Sequence, residues 1–183
     1  DYNMPIYRPE ATGDSRINIT NNAVTSLNAR KVCSRRAALE LKKGNVINLG
    51  VGIPETVGKI AEEEGFLEEI YLSVETGPTG GIPIGGVAFG GAINADSIIP
   101  TAEQFDAYNG GALDMAILGL AEVDKDGNVN VSKFGSRVTG PGGFINITQS
   151  TSKIIFVGTF TTNNLKEQFN DGKIAIEHEG EKQ

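Results

Sequence analysis

Residues 45–75 read NVINLGVGIPETVGKIAEEEGFLEEIYLSVE, and the order of apolar and glycine positions in this stretch sets the fold class. NVINL (45–49) is a short apolar run closed by a glycine, which reads as a buried strand. Gly50-Val51-Gly52-Ile53-Pro54 breaks the run, and a helical pattern follows, with Pro54 suited to the first turn and Gly65 to the stop. IYLSV (70–74) is the next strand, and Glu75 stands at its carboxyl end. Strand, glycine loop and helix make half of a parallel βαβ unit, so an α/β fold is expected.

Upstream, 28–43 (NARKVCSRRAALELKK) reads as a helix with Asn28 as N-cap and Gly44 as stop. Cys33, Ala37 and Leu41 share one face, where Cys33 serves as a small buried hydrophobe, while Arg30, Arg35 and Arg36 form a solvated face. Residues 1–27 are polar and rich in turn formers (Pro5, Pro9, Gly13, Asn21, Asn22) and read as a lead-in that wraps another domain or stays partly disordered. Downstream, TGPTGGIPIGGVAFGGAIN (76–94) has too many glycines for the interior of a regular helix or strand. Residues 101–106 suggest a short helical turn and 113–118 (LDMAIL) a buried strand. A hairpin is expected over 120–131 around Asp126-Gly127, a second glycine turn at 140–148, and an apolar strand over 153–160. The final segment, from Asp171, begins a strand with no visible partner.

The 183 residues suit one domain, at most a large one. A net charge of −7 argues against generic nucleic-acid binding, which needs a basic surface, but leaves room for one small anion held by backbone amides. One cysteine allows no intramolecular disulfide, which fits a reducing cytoplasm. One histidine and one cysteine build no usual zinc site, so no metal is expected. No apolar run is long enough for a membrane-spanning helix, and the first residues have neither the basic start nor the apolar run of a signal peptide.

Three features bear on chemistry. The Gly50–Gly52 loop, between strand and helix, offers backbone amides to an anion or oxyanion, or is simply a tight turn. Glu75 lies where ligands of open parallel sheets bind, outside the carboxyl ends of strands, or is a surface glutamate before a loop. Gly140-Pro141-Gly142-Gly143 lets backbone approach a ligand, or only turns the chain. Position alone does not choose between these readings.

The runs SVETGPTGGIPIGG (73–86), NLGVGIPE (48–55), QFDAYNGGALD (104–114), GNVNVSKFG (127–135) and GPGGFINITQ (140–149) resemble, in order and spacing, those of the family I coenzyme A transferases, propionate/acetate type. The likeness runs from about residue 28 to about residue 162. It implies an open, mostly parallel sheet with flanking helices, the CoA-transferase (NagB/RpiA-like) fold, and an enzyme of two related halves. Residues 28–183 then correspond to the glutamate-bearing second half, cut short at its C-terminus, with the first half as a missing partner and a homo-oligomer as the assembly.

The resemblance also implies roles. Glu75 is the nucleophile, and Val51 and Gly142 supply oxyanion amides. Gly50, Gly52, Gly80, Gly81, Gln104, Asn109, Lys133 and Gly143 are assigned to substrate or CoA. Lys133, with Arg137, flanks the second glycine turn and could meet an anion, against plain solvation. Ile82, Pro83 and Ile84 are placed at the acyl pocket, with the glycine-rich loop packed over the site. The substrates are a short-chain acyl-CoA and a carboxylate, coenzyme A being substrate rather than resident cofactor. A carboxylate nucleophile needs no partner base, so His178, in the charged tail, stays a surface residue. Other readings of the same fold are a sugar-phosphate-binding or ligand-sensing domain, and a non-catalytic half that needs its partner.

Overall fold

The computed structural model describes residues 7–19, 26–159, 161–162 and 164–182. The turn formers Pro5, Asn21 and Asn22 lie outside them. The described part of the lead-in holds a four-residue helix, α1 (Pro9–Thr12), and docks on the chain near residue 94. There the Asn94 amide donates to the Glu10 carbonyl at 2.9 Å and the Ile17 amide to Asn94 Oδ1 at 2.9 Å.

Helix α2 (Ala29–Ala38) starts where expected, because Asn28 Oδ1 accepts the Lys31 amide at 2.9 Å and satisfies an orphan donor of the first turn. It ends at Ala38 rather than Lys43. The amides of Glu40 and Leu41 bond back three residues, to Ala37 and Ala38, which tightens and closes the last turn. Strand β1 (Val46–Leu49), helix α3 (Glu55–Glu63) and strand β2 (Tyr71–Ser73) follow as a parallel crossover unit. Lys31, itself buried, joins α2 to α3 through an ion pair with Glu63 at 2.8 Å.

Beyond Glu75 the glycine-rich stretch turns back on itself in two-residue strands: β3 (Pro78–Thr79), β4 (Ile82–Pro83), β5 (Ala92–Ile93) and β6 (Ser97–Ile98). The short turn expected at 101–106 is a full helix, α4 (Thr101–Asn109), anchored by the buried Tyr108. Strand β7 (Met115–Leu118) precedes two small hairpins, β8 (Glu122–Val123) with β9 (Val129–Asn130) and β10 (Lys133–Phe134) with β11 (Arg137–Val138). The first is the hairpin expected around Asp126-Gly127. The glycine bend at 140–143 leads into helix α5 (Phe144–Ser150), which the reading of a simple turn did not foresee, and strand β12 (Ile154–Phe156) closes the set.

The main sheet runs β12-β7-β1-β2-β3-β6, and its first four strands are parallel. Strand alternation sends Ile47, Leu49, Leu72, Met115 and Ile117 to one face, against Ala37 of α2 and Val57 and Ala61 of α3. Ala116 and Leu118 point the other way, onto Tyr108 of α4 and Ile147 of α5. The fold is thus the expected α/β arrangement, two helical layers on a mostly parallel sheet. Cys33 packs against the first core, where burial pushes its thiol pKa up.

The last segment is a correction. Lys173–His178 does have a partner: it pairs antiparallel with Lys166–Asn170. Asp171 (φ +49°) and Gly172 (φ +72°) make the turn, both left-handed, as a two-residue hairpin of the primed type requires. His178 is exposed, its Nδ1 3.0 Å from the Asn164 carbonyl. Among the described residues no helix is long and apolar enough to cross a membrane.

Candidate active site

β1 sends its connection to α3 on one face of the sheet, while the neighbouring β7 leads to α5 on the other. Connections that leave adjacent parallel strands in opposite directions open a crevice beyond their carboxyl ends. A cavity of about 540 Å³ lies there. Gly50 and Val51 from the end of β1 and Leu118 to Ala121 from the end of β7 line it. Glu75 from the end of β2 and the Gly140–Gly143 bend complete the polar wall.

Glu75 is half-buried, and its Oε2 accepts from Asn48 Nδ2 at 3.3 Å. Asn48 is wholly buried on β1. Beneath it, Ser73 Oγ lies 2.7 Å from the Tyr108 hydroxyl and accepts from Gln104 Nε2 at 2.6 Å. Burial pushes the Tyr108 pKa up and the nearby Glu75 charge adds to that, against hydrogen bonds from Ser73, Gln104 and Asn48.

The two glycine bends differ from ordinary turns in what their amides do. The Gly50 amide is committed to the sheet, donating to the Ile117 carbonyl at 2.8 Å. Among the described residues, the amides of Val51, Gly142 and Gly143 have no acceptor. Unpaired amides on two walls of one cavity, with a carboxylate on a third, can stabilise an oxyanion formed by attack of that carboxylate on a carbonyl.

The expected site residues therefore divide. Glu75, Gly50, Val51, Gly142 and Gly143 line one cavity. Gly52 lies just beyond it, with left-handed backbone (φ +94°). Gly80 and Gly81 are not at the cavity. They hold the turn between β3 and β4, where a Cβ would collide with the Asp96 carboxylate and the Ile93 carbonyl, so their glycine character serves packing. Gln104 is buried under Ser73 rather than facing a ligand. Asn109 is exposed and accepts from Asn146 Nδ2 at 3.1 Å, which links α4 to α5. Lys133 is exposed on β10, and neither it nor Arg137 lines the cavity.

Ile82, Pro83 and Ile84 are also absent from the wall, because the stretch after Glu75 extends the sheet instead of folding over the site. The apolar wall comes from Leu120, Val131, Phe134 and Phe144. Sequence reasoning assigned no role to Asn48. The available signal was one polar side chain inside the apolar run VINL, which demands a buried partner.

No family model matches the chain. Over 179 residues it is 48% identical to caffeate CoA-transferase of Acetobacterium woodii, an alignment that takes in 95% of this chain and 34% of that protein. Over 169 residues it is 46% identical to acetate CoA-transferase YdiF of Escherichia coli (strain K12), covering 92% and 32% respectively. The chain belongs to the coenzyme A transferase family. The structure of acyl-CoA transferase YdiF from E. coli O157:H7 in a thioester complex with CoA superposes on this chain with a TM-score of 0.77 and 43% identity. That superposition covers 93% of this chain and 32% of that one. The chain thus spans about a third of the length of these relatives.

Proposed function

We propose that this chain is the nucleophile-bearing part of an enzyme that moves CoA from an acyl-CoA to a carboxylate acceptor, with Glu75 as the group that carries acyl and CoA in turn. One observation carries the reading. Glu75 stands half-buried in a cavity at the switch point of the sheet, facing two bends whose amides have no acceptor. The names of the relatives, CoA-transferases acting on acetate and caffeate, and the CoA thioester complex of YdiF support the reaction class.

The chemistry follows from the groups present. A Glu75 carboxylate oxygen adds to the thioester carbonyl carbon, and the negative charge that develops on the carbonyl oxygen is met by the amides of Val51 and Gly142. The C–S bond breaks, CoA leaves as thiolate, and an acyl-glutamyl anhydride remains. The thiolate adds to the glutamyl carbonyl and expels the acyl group as its carboxylate, leaving a glutamyl-CoA thioester. A second carboxylate runs both steps in reverse, which makes the kinetics ping-pong. Loss of one oxyanion donor of this kind raises the barrier by roughly 2.7–4 kcal/mol. The apolar wall around Phe134 and Leu120 takes the acyl group and holds water away from the anhydride. Gly50, Gly52 and Gly143 shape the two bends against the substrate.

The acyl group is in our reading a short-chain one, acetate or propionate. Residues 28–183 form the catalytic domain of the second half, and the rest of the enzyme, including a first half that closes the site, is the partner. Alone, the chain is expected to be inactive. The working enzyme is a cytoplasmic homo-oligomer with CoA as substrate and no resident cofactor.

The test is trapping. The whole enzyme incubated with acyl-CoA and then hydroxylamine or borohydride should gain the corresponding mass change on the Glu75 peptide, and Glu75→Ala should gain none. An unchanged Glu75 peptide in the wild type would overturn the reading.

A further inference from the structure

Asn48 is the one polar residue of β1, and it is buried completely. Burying an amide is unfavourable unless its polar atoms are met. Its Nδ2 lies 3.3 Å from each of three oxygens: the Ser73 carbonyl, the Tyr108 hydroxyl and Glu75 Oε2. Its Oδ1 has no partner among the described residues. Turning the amide over would not relieve this. Oδ1 would then face a carbonyl and a carboxylate oxygen, both acceptors, so the NH2 end must point at Glu75.

The layer below fixes the amide. Parallel pairing of β1 with β2 sets Asn48 beside Ser73. Gln104 Nε2 can only donate, so Ser73 Oγ accepts from it at 2.6 Å, and Ser73 Oγ meets the Tyr108 hydroxyl at 2.7 Å. Gln104, Ser73 and Tyr108 form a buried polar floor that pins the hydroxyl against which Asn48 rests. Among the described residues, Asn48 is the only side chain hydrogen-bonded to the Glu75 carboxylate. An unpartnered buried oxygen is a standing cost, kept here with a donor end that reaches Glu75 Oε2 as well as the Ser73 carbonyl and the Tyr108 hydroxyl.

We propose that Asn48 is a positioning residue for Glu75: its amide holds Oε2 and so directs the other carboxylate oxygen at the acyl carbon. This rests on Glu75 being the nucleophile. A carboxylate without that tether samples more side-chain torsions, and the fraction aligned for attack falls. Asn48 borders the base of the cavity with no exposed surface and meets the substrate through Glu75, so its loss slows the chemical step and leaves acyl-CoA binding alone.

The experiment compares wild type, Glu75→Ala and Asn48→Leu in the whole enzyme. Asn48→Leu is similar in size and lacks the donor. We expect kcat to fall roughly tenfold to a hundredfold, the value of a hydrogen bond to a charged group, with KM for acyl-CoA changed by no more than about twofold. Hydroxylamine labelling of Glu75 should slow in proportion to kcat. A wild-type enzyme never labelled at Glu75 would overturn the nucleophile assignment. Labelling of Glu75 in wild type and at the same rate in Asn48→Leu would overturn the positioning role alone, as would a raised KM with unchanged kcat. Should Asn48→Leu fail to fold, Tyr108→Phe removes one atom from the same floor. A kcat lower by about threefold to tenfold at constant KM is then expected, and an unchanged kcat would overturn the proposal.

Discussion

Glu75 is useful because of what surrounds it: two residues past Ser73, the last buried position of β2, it leaves the sheet where the crevice begins. The glycines opposite it are needed for two separate reasons. Gly142 has left-handed backbone (φ +54°), and a Cβ there would meet no atom within 4 Å, so a side chain costs conformational strain only. Gly143 has ordinary backbone, but a Cβ would stand 2.7 Å from Phe105 Cζ, so a side chain costs packing. Gly142→Ala should lower unfolding stability by about 1–2 kcal/mol, and Gly143→Ala by about 1–3 kcal/mol, both read from urea denaturation. Phe105 packs edge-on against Tyr108, with ring centroids 5.9 Å apart, so the second change also presses on the floor beneath Asn48. Both variants should transfer acyl groups more slowly. Full activity in Gly142→Ala would show that the substrate does not approach this bend closely enough for a Cβ to block it.

Elements are decided partly by local chemistry and partly by what they pack on. Helix α2 is a local case, begun by the Asn28 side chain. Asn28→Ala should cost about 1 kcal/mol, visible as a lower denaturation midpoint with unchanged kcat. Helix α5 is the opposite case. FINITQS is rich in β-branched and aromatic residues that favour strands. It is helical because burying Ile147 against Tyr108, Ala116 and Leu118 outweighs that preference. The hairpin after residue 165 shows a signal passed over. Asp171-Gly172 is a strong turn pair, and reading it as the start of a strand hid the partner strand before it.

Across the molecule, the edge strand β12 is tied to the end of α2 by charge. Lys153 Nζ meets Glu40 Oε2 at 2.6 Å, and Arg36 meets Glu40 Oε1 at 2.9 Å. The Lys153 hydrogen bond, then that of Arg36, pulls the Glu40 pKa from 4.5 to about 2. A carboxyl held lower in the folded than in the unfolded state adds stability that is complete above its unfolded pKa and lost as pH falls toward the folded one. Melting temperature should therefore decline as pH drops from 4.5 to about 2, and Glu40→Gln should flatten the profile in that window. An identical profile in the variant would remove Glu40 from the acid response.

The sequence by itself determined the α/β class, the strands at 46–49, 71–73 and 115–118, the start of α2 and the place of Glu75 just past a strand's carboxyl end. These depend on runs of a few neighbouring residues, where apolar continuity, capping side chains and glycine positions act over short distances. Tertiary structure alone decided which glycines face the cavity and which pack the β3–β4 turn. It decided that Gln104 lies under Ser73, that Phe134 rather than Ile82 lines the wall, and that Asn48 reaches Glu75. The physical reason is that strand order and register bring together groups 27 to 60 residues apart, as Asn48 shows with Glu75 and Tyr108. No local pattern encodes which partner a buried amide will find.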